Sequence, residues 1–228
     1  MEFTKLSNRL DLVASFVPAG ARLLDVGSDH AYLPIALLQE GKIEAAIAGE
    51  VVEGPYQSAL QNVADNGLED KIEVRLANGL AAFEPTDGIS CITIAGMGGR
   101  LIADILAAGL EKLASVSRLV LQPNNREDEL RAWLVNHDFR IIDEAILEEN
   151  EKFYEILVVE HGSQELTAKE LRFGPYLMRE QAPAFVQKWF KEVEKLAFAL
   201  EQVPVENQSA RASLEERIAH IKEVLHVS

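Results

Sequence analysis

Apolar and polar positions along this 228-residue chain follow two alternating periods. Short β-rich runs at 22–26, 45–49, 72–76, 91–96 and 118–122 predict buried strands, and segments of helical spacing fall at roughly 30–40, 55–66, 99–108 and 126–136. Pro55 suits a first helical position and Gly67 a C-terminal stop. Alternation of this kind predicts a parallel, doubly wound sheet. The pattern then changes to two longer strands, about 139–147 and 153–160, joined by the polar "EENEK", which reads as an antiparallel hairpin. Beyond it, Val186, Trp189, Val193, Leu196 and Leu200 repeat at intervals of 3 and 4, as do Leu214, Ile218, Ile221 and Leu225 after "PVENQS". Such spacing predicts two antiparallel helices in a coiled coil, with Phe173-Gly174-Pro175 marking a break near its base.

The expected fold class is therefore α/β. Five parallel strands closed by an antiparallel hairpin match the Rossmann-like sheet of class I methyltransferases better than the all-parallel sheet of a dehydrogenase. Two domains are expected, a Rossmann-like unit over 1–163 and a helical coiled-coil unit over 164–228.

Composition narrows the class. No early apolar run survives Lys5, Arg9 and Asp11, so no signal peptide is expected, and the uncharged stretch 88–99 is too short and glycine-rich to span a bilayer. A soluble, cytoplasmic protein without membrane contact is expected. One cysteine, Cys91, excludes an internal disulfide, and five scattered histidines lack metal-ligand spacing. The net charge of −15 argues against a polyanionic partner until its distribution is counted. Residues 1–163 hold 13 basic and 27 acidic groups, whereas 164–228 hold 9 and 10. Nucleic acid can dock on the near-neutral second part, but not by bulk electrostatics.

The first turn, in "LLDVGSDHAYLP" (23–34), poses the chemical question. A dinucleotide-binding turn needs G-x-G-x-x-G so that backbone amides reach a pyrophosphate. Here Asp29 occupies the turn, and a carboxylate in a partly dry site repels phosphate but favours the sulfonium cation of S-adenosylmethionine. Glu50 ends the second strand, 23 residues after Gly27, where an acidic side chain accepts ribose hydroxyls. Asn78-Gly79 follows the third strand and can line an adenine. "AGMGG" (95–99) follows the fourth, its glycines expected to leave open space beside the methionine end of the cofactor.

The acceptor is narrowed by absences. No Asn/Asp-Pro-Pro-aromatic loop for exocyclic amino methylation follows the fourth strand, and Cys91 begins its strand, at the wrong end for nucleophilic C5 chemistry. A substrate atom with a free lone pair remains, such as adenine N1. Another nucleobase, a small molecule, or a non-catalytic S-adenosylmethionine-binding module stay open as alternatives. Asn124 and Asn125 either meet a flipped base or form a turn, while Arg100, Arg126 and Arg131 either touch phosphate or occupy solvated helix faces. Asp25 either orients the glycine turn or contacts cofactor.

"DVGSDHAYLP", "GEVVEGPYQSALQNV", "IAGMGG", "LQPNN" and "FGPYLM…WF" resemble the bacterial tRNA (adenine-N1)-methyltransferase family that modifies position 22 in the D-arm, the TrmK family. That resemblance covers nearly the whole chain. It implies S-adenosylmethionine as methyl donor, tRNA as substrate and a Rossmann-like domain followed by a helical coiled coil. Carried over, the cofactor positions are Asp25, Gly27, Ser28, Glu50, Asn78, Gly79, Gly96 and Met97. The catalytic candidates are Asp29, His30 and Tyr32, with Gly98 and Gly99 beside the acceptor. The tail either holds the tRNA body, with Lys169, Arg172, Arg179, Lys188, Lys191 and Lys195 as candidate contacts, or serves as a stability element or a contact for a partner protein or second copy, and no oligomeric state is implied.

Overall fold

The computed structural model describes residues 4–226, so the outermost residues of both expected domains lie outside the described residues. Seven strands form one mixed sheet: β1 (Ala21–Val26), β2 (Ile43–Glu50), β3 (Ile72–Leu76), β4 (Cys91–Met97), β5 (Arg118–Pro123), β6 (Phe139–Glu149) and β7 (Lys152–His161). Their order is β3-β2-β1-β4-β5-β7-β6, with β1 to β5 parallel and β7 antiparallel to both neighbours. All seven expected strands are present. The hairpin, however, turns more tightly than "EENEK" suggests, because Asn150 and Glu151 both take positive φ (52° and 63°) and form a two-residue turn of the kind that matches strand twist.

Successive side chains of the central strands feed opposite faces, as a doubly wound sheet requires. Leu24, Val26, Ile92, Ile94, Leu119 and Leu121 enter one core; Leu23, Cys91 and Val120 enter the other. On the first face lie α4 (Gly99–Ala108) and α5 (Glu127–Val135), through Ile102, Leu106, Leu130 and Leu134. On the second lie α1 (Asn8–Ser15), α2 (Tyr32–Gln39) and α3 (Glu53–Asp65), through Val13, Leu33, Ile35, Ala59 and Val63. Each of these side chains is almost wholly removed from water, worth about 1.5–3 kcal/mol apiece for the larger ones.

Pro55 occupies the third helical position of α3 rather than the first, still within the turn whose N–H groups need no helical partner. Gly67 follows that helix with φ +65°, the left-handed stop expected of it. The periodic pattern did not reveal α1, nor the short α6 (Ala168–Phe173) and α7 (Pro175–Glu180).

The tail ends in two long helices, α8 (Pro183–Gln202) and α9 (Gln208–Val224). They run antiparallel: Gln181 meets the Val224 carbonyl at one end, and Arg211 meets the Leu200 and Val203 carbonyls at the other. Phe173, Leu177, Phe185, Trp189, Leu196, Ile221 and Val224 form a third core with Ile146 of β6 packed against it. The base of the tail thus grows out of the sheet. Among the described residues, no helix is long and apolar enough to cross a membrane, and no cluster of metal-ligating groups occurs.

Candidate active site at the carboxyl edge of the sheet

After β1 the chain makes a turn whose backbone no ordinary sequence adopts freely. Gly27 has φ +67°, and Asp29, His30 and Ala31 follow with +45°, +65° and +59°. A left-handed residue without glycine costs of order 1 kcal/mol or more, so three in succession persist only when surrounding contacts dictate them. They are dictated from several elements. The Gly27 and Ser28 amides donate to the Gly49 carbonyl at 2.9 and 3.3 Å, Asp29 N–H donates to Glu50 Oε1 at 2.7 Å, and Asn62 Nδ2 of α3 donates to the His30 carbonyl at 2.9 Å. Because left-handed residues cannot continue into a right-handed helix, α2 begins at Tyr32 and not at 30 as the spacing predicted.

Asp25 lies beneath this loop, 4% exposed, and accepts from Ser28 Oγ and Thr93 Oγ1, both at 2.6 Å. Its carboxylate and the Ser28 hydroxyl are therefore occupied with each other. Burial pushes the Asp25 carboxyl up to about 6 despite those two donors, with Glu50 and Asp29 adding repulsion. A folded-state value above the unfolded one near 3.8 means that the protonated group favours folding. That contribution is complete below about pH 3.8 and is lost as pH rises through about 6. Asp25→Asn is therefore expected to gain on the wild type in Tm by several degrees between pH 4.5 and 7.5, with no further change above. A difference in Tm that stays constant over that range would show Asp25 to be ionised throughout.

Glu50 is 6% exposed, and burial raises its carboxyl above the usual range against the opposing effect of the Asp29 amide. One oxygen holds the loop; the other has no partner among the described residues. Asn78 is exposed at the end of β3, and Gly79 (φ +55°) packs so closely on Ile105 that a Cβ would lie 2.9 Å from its Cγ2.

The loop after β4 meets the first one directly: a Cβ on Gly27 would sit 2.4 Å from Met97 Cε. Gly96 (φ +80°) is gripped at both polar groups, its N–H by Gln122 Oε1 at 3.0 Å and its carbonyl by Asn124 Nδ2 at 2.7 Å. Gly98 and Gly99 do not leave the open space expected of them. A Cβ on Gly99 would lie 2.4 Å from the Arg126 carbonyl and one on Gly98 3.1 Å from Asn125 Oδ1, so these glycines allow the β4 and β5 loops to close on each other. Arg9 of α1 completes the assembly, donating from Nη1 to Gln122 Oε1 at 2.7 Å with its guanidinium 5.5 Å from the Tyr154 ring centroid. Neither Arg9 nor Thr93 stood out in the sequence. Thr93 and Gln122 were legible only as polar residues in otherwise apolar strands, and Arg9 reaches its partner across 113 residues.

Asp29, His30 and Tyr32 come together at the mouth. The Asp29 side chain is 78% exposed, His30 Nε2 lies 3.6 Å from Asp29 Oδ1, and the His30 and Tyr32 ring centroids are 5.4 Å apart. In this state the Asp29 charge acts through water, which weakens its field compared with the partly dry site inferred from the sequence.

The arginines divide. Arg100 and Arg126 are exposed and share Glu129. Arg131 is neither a phosphate contact nor on a solvated face. It is fully buried, pairing with Glu144 Oε1 at 2.7 Å and Glu155 Oε2 at 2.5 Å. Lys188 and Lys191, expected to be available to nucleic acid, are also paired, Lys188 with Glu127 and Glu155 at 3.0 and 2.7 Å and Lys191 with Glu148 at 3.0 Å. Burial pushes the Cys91 thiol up to about 12, consistent with a core residue.

Residues 23–223 match the family described as TrmK, tRNA (adenine(22)-N(1))-methyltransferase. The chain belongs to this family. It is 40% identical to the Bacillus subtilis tRNA (adenine(22)-N(1))-methyltransferase, with 99% of each chain covered. The crystal structure of Streptococcus pneumoniae Sp1610 is 66% identical and superposes with a TM-score of 0.96, covering 97% of this chain and all of that one. The same protein in complex with S-adenosyl-L-methionine is 65% identical at a TM-score of 0.91, with the same shares covered. Family membership thus extends beyond the Rossmann-like sheet into α8 and α9.

Proposed function

We propose that this chain transfers the methyl group of S-adenosylmethionine to N1 of adenine 22 in tRNA, with Glu50 holding the ribose and the strained loop at 29–32 facing the acceptor base. The observation that carries the reading is the buried Glu50 carboxylate, with one oxygen committed to the loop and the other without a partner among the described residues. Such a group suits vicinal hydroxyls and opposes a pyrophosphate. The residues at the site fit the cofactor: the amides of Gly27, Ser28 and Asp29 are committed to the Gly49 carbonyl and Glu50 and are not free to cradle a phosphate.

Bound there, S-adenosylmethionine supplies an electrophilic methyl on a sulfonium. Adenine N1 has a free lone pair, so no proton is removed before attack and the methylated base carries positive charge. The protein's part is then to position and to stabilise. Glu50, Asn78 and Gly79 bind the nucleoside end, while Gly96 and Met97 border the methionine end. Asp25 and Ser28 hold the loop in shape. Asp29 offsets the developing charge on the base, and the adjacent His30 and Tyr32 rings supply surfaces on which an unstacked base can lie. Residues 164–228 serve as a second domain that holds the tRNA body, its long helix pair acting as the expected coiled coil, in a cytoplasmic enzyme.

Incubation with labelled cofactor and unmodified tRNA, followed by nucleoside analysis, tests this reading; label in 1-methyladenosine is expected, and label in another nucleoside overturns it. Glu50→Ala is expected to weaken cofactor binding by about 1.5–3 kcal/mol in calorimetry through loss of charge-assisted hydrogen bonds. Unchanged affinity would place the ribose contact elsewhere.

A further inference from the structure

A cleft of about 840 Å³ lies between the loop after β5 and the helices of the tail. One wall is formed by Asn124 and Asn125 after β5 and by the β6–β7 turn; the other by α6, α8 and α9. Asn124 joins the cleft to the proposed methionine end of the cofactor site, since its side chain also holds the Gly96 carbonyl. Six cations and four carboxylates line it.

The cations are not equivalent. Lys188 and Lys191 are neutralised by the carboxylates described above. Arg172 has neither an ion pair nor a hydrogen bond from its guanidinium among the described residues. It is half-buried, with its guanidinium carbon 5.3 Å from the Phe173 ring centroid and 5.6 Å from that of Trp189. Desolvation, with the nearby positive charge of Arg217, lowers its affinity for its proton, opposed by Glu192 and Asp128. Arg217 holds Glu192 only loosely, at 3.5 Å, and exposed Lys195 lines the same cleft without an ion pair among the described residues. A guanidinium set against aromatic rings with its donors unfilled, beside a second arginine, is an arrangement suited to an anion with geometrically fixed oxygens. An aromatic floor also lets the guanidinium keep its orientation without a carboxylate.

We propose that Arg172 and Arg217, with Lys195 beside them, form a subsite for the phosphodiester backbone of tRNA, holding the strand while its target base occupies the site at Asp29. This rests on the tRNA reading above. Glu127, Asp128 and Glu192 line the same cleft and limit non-specific anion binding, so the contact depends on phosphate geometry more than on net charge.

The test uses the full-length protein and unmodified tRNA, with binding followed by fluorescence anisotropy across a salt series and cofactor affinity measured in parallel. Arg172→Gln is expected to weaken tRNA binding about five- to twentyfold and to reduce the salt slope by about 1, leaving cofactor affinity and the helical circular dichroism signal unchanged. Arg172→Lys should recover part of the affinity. Lys195→Glu, at an exposed position, provides a second arm that does not disturb the Trp189 stack, and a similar loss of tRNA affinity is expected. Wild-type binding of tRNA with both Arg172→Gln and Lys195→Glu binding equally well, at unchanged slope, would overturn the subsite and leave the enzymatic reading intact. Failure of the wild type to bind or methylate tRNA would instead remove the reading on which it rests. Inorganic phosphate competing with tRNA in the low-millimolar range would indicate a free-anion site and would also overturn the proposal.

Discussion

Arg131→Ala is expected to lower the unfolding free energy by about 3–5 kcal/mol, the scale for removing one partner of a fully buried ion pair. Arg131 spans three elements: its Nε and Nη2 hold Glu144 of β6 and Glu155 of β7, and its Nη1 donates to the Leu171 carbonyl of α6 at 3.1 Å. Glu144 in turn accepts from the Tyr176 N–H of α7 at 2.9 Å. Burial raises the Glu144 carboxyl against the pull of Arg131, whereas at Glu155 the charges of Arg131 and Lys188 outweigh the burial and hold the carboxyl below its usual range. Without the guanidinium, Glu155 keeps only Lys188, and Glu144 keeps one backbone donor. Gly174 permits the arrangement, since a Cβ there would lie 2.7 Å from Glu144 Oε2 and 2.8 Å from Arg131 Nη2. Urea denaturation monitored by circular dichroism measures the effect. A loss below about 1 kcal/mol would show that the charges relax into solvent and that the network does not clamp the tail.

The same network bears on any division of the chain at Ser163. Leu171 and Tyr176 lie beyond that point, and Phe173 and Leu177 pack in a core that includes Ile146 of β6. A fragment ending there leaves buried carboxylates and apolar surface uncovered. Reduced stability is therefore expected beside any loss of tRNA activity, and substitutions within α8 and α9 separate the two effects more cleanly than truncation does.

Asp29→Asn is expected to slow methyl transfer by about one to three orders of magnitude, the scale for removing one preorganised electrostatic group. Cofactor and tRNA affinity should fall far less, because the charge matters mainly as the base becomes cationic. Asparagine tolerates the left-handed backbone at φ +45° as well as aspartate does, so the loop and the amide bond to Glu50 should persist. The side chain is 78% exposed, so the size of the effect depends on how far docked RNA excludes water from it. Single-turnover rates at saturating tRNA and cofactor measure it. A normal rate would mean that Asp29 serves only the shape of the loop.

Hydrophobic periodicity by itself determined the seven strands, the four helices of the expected alternation and the two long helices of the tail, because burial on both faces makes the central strands short apolar runs and burial on one face gives the helices their repeat. It also drew attention to the carboxyl ends of β1 to β4, since Gly27, Glu50, Asn78 and Gly96 each stand at or just beyond the end of an apolar run. Tertiary structure alone decided what those residues contact. Three left-handed residues in a row at 29–31 arise from amides and carbonyls of β2 and α3 that no local pattern announces. Asp25 became a buried positioning group because Thr93, 68 residues away, faces it. Arg131 and Lys188 read as surface cations because helical spacing shows only a polar position; their carboxylate partners lie 13 to 61 residues distant. Arg172 was legible only as one of several basic residues of the tail, and the packing of its side chain on Trp189 beside Arg217 is what sets it apart from the paired Lys188 and Lys191. Local sequence specifies which face of an element is buried, while the pairing of polar groups across elements depends on which elements the fold brings together.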